Sequence, residues 1–285
     1  ISVRQSLPAR PAQFLGKKNR KEFMNQKSTP VLIVLLVVAA FLIGKFYTEN
    51  QFLKSGPAPV ITGTTATPQA AAPQPSAIKI EQVKDAFSKS LVKFGDVNSK
   101  LVMLEISDPS CPYCHVAAGL DGALNKQMGS QFTLVADGGS YIAPVVEMKK
   151  LVDAKKASFA WIYSPGHGNG EMGTKAMYCA FEKGKFWEVH DKIMTNESYN
   201  LLNNTIKNDK AKSGDLAEFL KGVFDPTEMK TCLDSGKYDA VLQTDQGLAR
   251  GLGVSGTPGF FVNEKNFAGA YSYTDMKSAV DSALQ

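Results

Sequence analysis

Two cysteines separated by two residues, Cys111-Pro112-Tyr113-Cys114, form the pattern with the most chemistry in this chain. On the first turn of a helix, that spacing lets the sulfurs join as a disulfide or part as a dithiol. Unpaired backbone N–H groups and the helix dipole at such a position stabilise a thiolate on the first cysteine. Pro112 suits the first turn because its missing N–H would have no partner there. Cys111 is therefore the expected exposed, attacking thiolate, and Cys114 the resolving thiol one turn inside. Zinc would want a second ligand pair at similarly short spacing. The other cysteines, Cys179 and Cys232, are isolated, and His115, His167 and His190 are scattered, so no metal site is expected. A purely structural bond across so short a loop would be strained and easily reduced. Redox chemistry uses every feature, and the cysteine pair then serves as its own redox group, with no added cofactor.

Two more positions bear on that centre. Glu105 stands six residues before Cys111 within LVMLEIS, where its neighbours imply burial. An isolated buried carboxyl raises its pKa rather than stay charged, and such a group suits proton exchange with the inner thiol, Cys114. The competing reading is a strand glutamate facing a solvated sheet edge. Thr257-Pro258 precedes the apolar run Gly259–Phe260–Phe261–Val262–Asn263, and a proline there reads, on its own, as a turn.

The elements that must position these residues follow from apolar periodicity. Ile80, Val83, Phe87, Leu91 and Phe94 recur at three- and four-residue steps, predicting one amphipathic helix ended by Gly95. Leu101–Ser107 is nearly continuous in apolar residues, as a strand buried on both faces should be. A helix follows the cysteine motif to about Met128. Phe132–Ala136 and Phe159–Tyr163 read as strands with a helix around Val145–Lys155 between them, and the pattern does not decide which joins the central sheet. Helices are predicted at 171–183, 185–194, 214–223, 227–234 and 238–250. Gly259–Asn263 and Phe267–Ala270 are a closing strand pair, and Thr274–Leu284 is a last helix capped by Thr274. The order describes an α/β domain with a helical insertion at about 165–250.

Charge is distributed unevenly. The 285 residues carry 32 basic and 27 acidic side chains, but seven of the basic ones lie in residues 1–30 beside the single acid Glu22. Residues 77–285 are left slightly acidic, which argues against a nucleic-acid binder. The basic tail (1–29) is followed by Pro30 and the apolar run Val31–Ile43, which Gly44, Phe46, Tyr47 and a snorkelling Lys45 extend to a short membrane span. A cleaved signal peptide would want a shorter basic region and a small-residue cleavage site. An uncleaved signal anchor over 30–47 is the expectation, with the tail inside and the rest outside the cytoplasm. Residues 48–77, rich in Pro, Ala and Thr, read as a tether to a folded domain at 78–285.

Taken together, LVMLEISDPSCPYCH, CAFEKGKFWEVHDKIM from Cys179, and CLDSGKYDAVLQTDQGLARGLGVSGTPGFFVN from Cys232 resemble the DsbA family of disulfide oxidoreductases. The resemblance implies a thioredoxin fold with a helical insertion, preceded here by a single transmembrane helix. It implies that Glu105 is the buried acid near the cysteines. It also implies that Pro258 is a cis-proline facing Cys111, and that the Thr257 backbone pairs with an extended substrate chain. The family's best-known oxidants have His where Tyr113 stands, a position that tunes the thiolate. His115 either interacts with the sulfurs or is a partly exposed helical histidine. With Cys111 and Cys114 taken as the redox pair, Cys179 and Cys232 remain for a structural disulfide, against the alternative of two buried free thiols.

The expected activity is that of a membrane-anchored thiol–disulfide oxidoreductase acting on exported proteins, most simply as an oxidant. Family membership implies reduced or unfolded exported chains as substrates, and a membrane quinone-linked reoxidant of the DsbB or vitamin-K-epoxide-reductase type. The domain is expected to be extracytoplasmic and monomeric. An exported reductase or isomerase is the nearest rival, and a non-catalytic thioredoxin-fold peptide-binding module comes from a different class. A hydrophobic surface around Tyr113 and Phe260 would suit unfolded chains, although core packing accounts for Phe260 equally well.

Overall fold

The computed structural model describes residues 77–285; the expectations for the basic tail, the anchor and the linker at 48–76 lie outside the described residues. Among the described residues, no helix is long and apolar enough to cross a membrane. The first helix, α1 (Ile80–Lys89), buries Val83, Ala86 and Phe87. It stops at Ser90, whose backbone is extended (φ −65°, ψ 146°), rather than continuing to Gly95. The chain from Val92 to Phe94 is instead a strand, β1. Leu91 and Phe94 fit a helical stripe by spacing alone, but the backbone there pairs antiparallel with a neighbouring strand, Val92 opposite Trp161. Ladder pairing decided what periodicity left ambiguous.

Strand β2 (Val102–Ser107) is buried at all six positions. The cysteine motif then opens α2 (Pro112–Ala118), which ends at Gly119 with φ 68°. A side chain at Gly119 would also run into Ala143, so a glycine break replaces the continuous helix expected to Met128. Asp121 restarts the chain as α3 (Gly122–Gln127) by accepting from the Leu124 N–H. Residues 132–136 are not a strand. Short 3₁₀ turns occupy Ser130–Phe132 and Val135–Asp137, with a single bridge between Leu134 and Tyr141. Helix α4 (Pro144–Asp153) leads to β3 (Ser158–Tyr163), which is the strand that joins the sheet.

The segment after β3 is helical: α5 (Glu171–Glu182), α6 (Phe186–Ile193), α7 (Asn196–Asn200), a π-helical turn at Leu201–Ile206, α8 (Ser213–Phe219), α9 (Pro226–Asp234) and α10 (Asp239–Gly251). The turn at 196–206, rich in Asn, had no apolar signature to announce it. Cys179 on α5 and Cys232 on α9 are joined by a disulfide. Strands β4 (Gly259–Val262) and β5 (Lys265–Ala268) and helix α11 (Tyr273–Leu284) complete the chain. Ser272, not Thr274, caps α11: its hydroxyl accepts from the Thr274 N–H, and its own N–H donates to Asp275.

The sheet order is β1-β3-β2-β4-β5, with β2 parallel to β3 and antiparallel to β4. Side chains alternate across it. Val102, Leu104 and Ile106 pack with Val83, Phe87 and Leu252, so α1 and the end of α10 cover that face. Met103 packs on the opposite face with Trp161, Phe260, Ala117 of α2 and the helices after β3. Glu105 and Ser107 share the face of Met103, and so lie under the helix that begins at the cysteines.

Candidate active site

The turn between β2 and α2 is held from within and from afar. Cys111 donates its N–H to the Asp108 carbonyl at 2.9 Å, and Cys114 donates to the Cys111 carbonyl at 3.1 Å. The wholly buried Asp108 carboxylate accepts from the Ser110 N–H (2.8 Å) and hydroxyl (2.7 Å) on one oxygen. Its other oxygen accepts from the N–H groups of Gly166 (2.6 Å) and His167 (2.9 Å), in the loop after β3. Four donors satisfy this buried charge and fix both loops together. The Asp-x-Ser spacing signals a local turn. The partners 58 and 59 residues away carry no sequence signal, so nothing in the sequence marks Asp108 as the tie between the two loops.

Cys111 and Cys114 are free thiols, and both are buried: Cys111 is not the exposed thiol expected, because the loop at Gly166 and the Thr257 backbone close over it. Cys111 is the N-cap of α2, with extended backbone (φ −88°, ψ 122°) and Pro112 following. The adjacent Cys114 thiol pulls the Cys111 pKa down most, and the Thr257 hydroxyl and the Cys114 and Tyr113 N–H groups add to that pull. They outweigh burial, and Cys111 is lowered to about 6. Burial and the neighbouring Cys111 push the Cys114 thiol far above the ordinary range. Cys114 also accepts from the Asp108 N–H at 3.4 Å. One sulfur is thus built to be ionised near neutrality and the other to keep its proton.

Thr257 and Pro258 face this pair. Their peptide bond is cis, and the Cys111 thiol donates to the Thr257 carbonyl at 3.4 Å. Gly166 is wedged against both: a side chain there would strike the Thr257 hydroxyl and crowd Cys111. Tyr113 is exposed (42%), its ring edge-on to Phe132 at 5.8 Å. Phe260 is wholly buried in the sheet and offers no surface to a substrate. His115 matches neither expectation. It is buried, not partly exposed, and its Nε2 lies 2.7 Å from the Pro109 carbonyl, where it braces the loop before Cys111. Burial lowers its pKa.

Glu105 lies inside the protein, not at a solvated edge, and neither carboxyl oxygen has a hydrogen-bond partner. Burial raises its pKa, against the opposing influence of His190 and of Ser107. The Ser107 hydroxyl also lowers the pKa of Cys114, against the burial that raises it. Sequence reasoning missed Ser107, although strand alternation puts residues 105 and 107 on one face. Among the described residues, no group of three or more His, Cys, Asp or Glu is arranged to hold a metal.

A family model described as thioredoxin matches residues 147–282, a stretch that leaves out Cys111 and Cys114. A putative protein-disulfide oxidoreductase of Rickettsia conorii is 24% identical over 225 residues, covering 79% of this chain and 71% of that one. The disulfide bond formation protein D of Bacillus subtilis is 20% identical over 218 residues, covering 73% and 85%. The crystal structure of oxidised BdbD from Bacillus subtilis superposes with a TM-score of 0.50 at 18% identity, covering 70% of this chain and 94% of that one, which places the two in one fold. A Na⁺/H⁺ antiporter of Salinispora tropica is 25% identical over 194 residues, 67% of this chain; the chain spans 24% of that relative's length.

Proposed function

We propose that this chain, a DsbA-like protein of thioredoxin fold, is a thiol–disulfide oxidoreductase that oxidises exported proteins. The observation that carries the reading is the Cys111 thiol, drawn down to about 6 at the start of a helix and facing the Thr257 carbonyl. A sulfur that is stable as a thiolate is a good leaving group, and its stability favours the reduced pair over the disulfide. In the forward half-reaction a substrate thiolate attacks Cys111 of the Cys111–Cys114 disulfide. The S–S bond breaks, and Cys114 departs and takes a proton that Glu105 supplies. A second substrate thiolate then displaces Cys111, which leaves as a thiolate, and the substrate holds the new disulfide. Two electrons pass from substrate to enzyme. Thr257 and Pro258 hold the substrate backbone beside Cys111, and Tyr113 offers it an exposed ring.

Reduced or unfolded exported chains are the substrates under this reading, and a membrane quinone-linked protein of the DsbB or vitamin-K-epoxide-reductase type restores the disulfide. The apolar run at 31–43 anchors the catalytic domain on the extracytoplasmic side as a monomer. Cys111→Ser should abolish oxidation of a dithiol peptide, and activity intact in that variant eliminates the mechanism. Fractionation of the full chain should find it in membranes, with the cysteines protected from membrane-impermeant reagents added to the cytoplasmic side. An exported reductase or isomerase is the second reading: a Cys111 value of about 6 lies nearer that of thioredoxin than that of DsbA.

A further inference from the structure

The loop that carries the redox pair is held by side chains from two other parts of the chain. Ser110, directly before Cys111, is wholly buried, so its carbonyl needs a donor that solvent cannot provide. Asn203 provides it: its Nδ2 donates to that carbonyl at 3.1 Å, across 93 residues of sequence. The second amide hydrogen goes to the Tyr199 carbonyl at 3.0 Å, and Oδ1 accepts from Asn169 Nδ2 at 3.1 Å. Both amide hydrogens are thus spent, and the partners fix which way the amide faces.

Asn169 returns to the same loop: its N–H donates to the Ser110 hydroxyl at 3.2 Å, and that hydroxyl donates in turn to Asp108. Asn203 lies in the π-helical turn at Leu201–Ile206, a conformation that is rare and recurs at functional sites. The turn presses on the loop directly, since a side chain at Gly173 would meet Pro109 and Leu202 at 3.2 Å each. His115 is the competing brace, but it holds the Pro109 carbonyl, one residue further from the sulfur. The neighbouring asparagines stay on their own turn: Asn200 bonds to Asn196, and Asn204 to Asn200.

We propose that Asn203 is a positioning residue of the redox centre: by holding the Ser110 carbonyl it fixes the peptide that leads into Cys111, and with it the aim of the Cys111 sulfur at the helix start. The inference rests on the oxidoreductase reading above. That peptide also carries the Cys111 N–H, which donates to the Asp108 carbonyl at 2.9 Å, and its plane sets φ at Cys111. With φ at −88° the residue caps α2, and its sulfur stands beside the unpaired N–H groups of the first turn. Without Asn203 the buried carbonyl loses this partner, the peptide turns to find another, and the sulfur drifts from those N–H groups. Asn203 acts through the backbone rather than on a sulfur, so the helical insertion as well as the cysteine motif sets the reactivity of Cys111.

The test is alkylation of Cys111 by iodoacetamide in the reduced full chain, followed against pH and located by peptide mass, together with equilibration against glutathione. Asn203→Ala should raise the Cys111 pKa by about one unit, the scale of a single hydrogen bond. From about 6 in the wild type, that shift slows alkylation at pH 6 about fivefold and moves the glutathione equilibrium at pH 7 about fivefold toward the disulfide. Asn200→Ala and Asn204→Ala, whose amides bond within the turn, should titrate as wild type. A merely structural role would lower the urea midpoint and leave both readouts unmoved; that result overturns the proposal, as does an equal shift in the two control variants. Should Asn203→Ala fail to fold, Asn169→Ala decides, because it removes the support of Asn203 Oδ1 and keeps the backbone N–H on Ser110. Slower alkylation at pH 6 then supports the proposal, and a wild-type rate overturns it. A wild type that exchanges no thiols with glutathione would sink the oxidoreductase reading instead.

Discussion

Removing the Cys114 thiol should change the acidity of Cys111 more than any other single substitution at the site. Cys111 lies at about 6 against an ordinary value of 9.0, a preference for the thiolate of about 4 kcal/mol. The Cys114 side chain is the largest contributor, ahead of the Thr257 hydroxyl and the backbone N–H groups, with burial opposing. A hydrogen bond to a charged group contributes about 1.5–3 kcal/mol. Its loss in Cys114→Ala should therefore raise Cys111 to about 7–8, and the thiolate fraction at neutral pH should fall from about nine-tenths to between one half and one tenth. Cys114→Ser keeps a hydroxyl donor and should leave Cys111 within about one unit of the wild type. In either variant Cys111 is the single remaining free thiol, so thiolate absorbance and the rate of iodoacetamide alkylation against pH read it without ambiguity. An alanine variant still titrating near 6 would refute the assignment and transfer the stabilisation to Thr257 and the helix start. The sign for stability follows from the same shift. Folding lowers this pKa, so its contribution is full above about 9 and is lost as pH falls through about 6. The reduced wild type should lose this increment between about pH 9 and pH 6, and a disulfide-bonded form, lacking the titrating thiol, should not.

Other outcomes follow from the same geometry. Equilibration with glutathione should place the Cys111–Cys114 couple between about −120 mV and about −270 mV, because its thiolate is more stable than that of thioredoxin and less so than that of DsbA; a value below that range would refute the oxidant. Glu105→Gln should slow formation of the Cys114 thiol. Because burial raises the Glu105 pKa, the folded wild type loses stability as pH rises above 4.5, so urea midpoints should favour the variant increasingly as pH rises from there; equal slopes would contradict the burial argument. Gly166→Ala drives a methyl into the Thr257 hydroxyl beside Cys111, and should cost about 1–3 kcal/mol in urea unfolding while raising the Cys111 pKa. Replacing Cys179 and Cys232 by Ser opens a loop of 53 residues, which should lower stability by about 4 kcal/mol by calorimetry or denaturant while leaving Cys111 alkylation unchanged.

The local chemistry of this protein was written in neighbouring residues. A strand running into Cys-Pro-Tyr-Cys states both the helix start and which sulfur ionises, because N–H groups at a first turn lack partners in any fold. Strand alternation likewise states that Glu105 and Ser107 share a face. Everything that depends on residues distant in the chain was decided by the tertiary structure. Thr257 meets Cys111 across 146 residues, and Gly166 meets Asp108 across 58. The short stretch at 92–94 became a strand because β3 offered it a ladder, and 132–136 did not because its backbone closed on itself in turns. His115 and His190 look alike as helical histidines in the sequence; packing turned one onto a carbonyl and gave the other an exposed carboxylate. Periodicity and capping involve residues a few positions apart, and so are legible before folding. Burial and long-range hydrogen bonds arise only when the chain closes on itself.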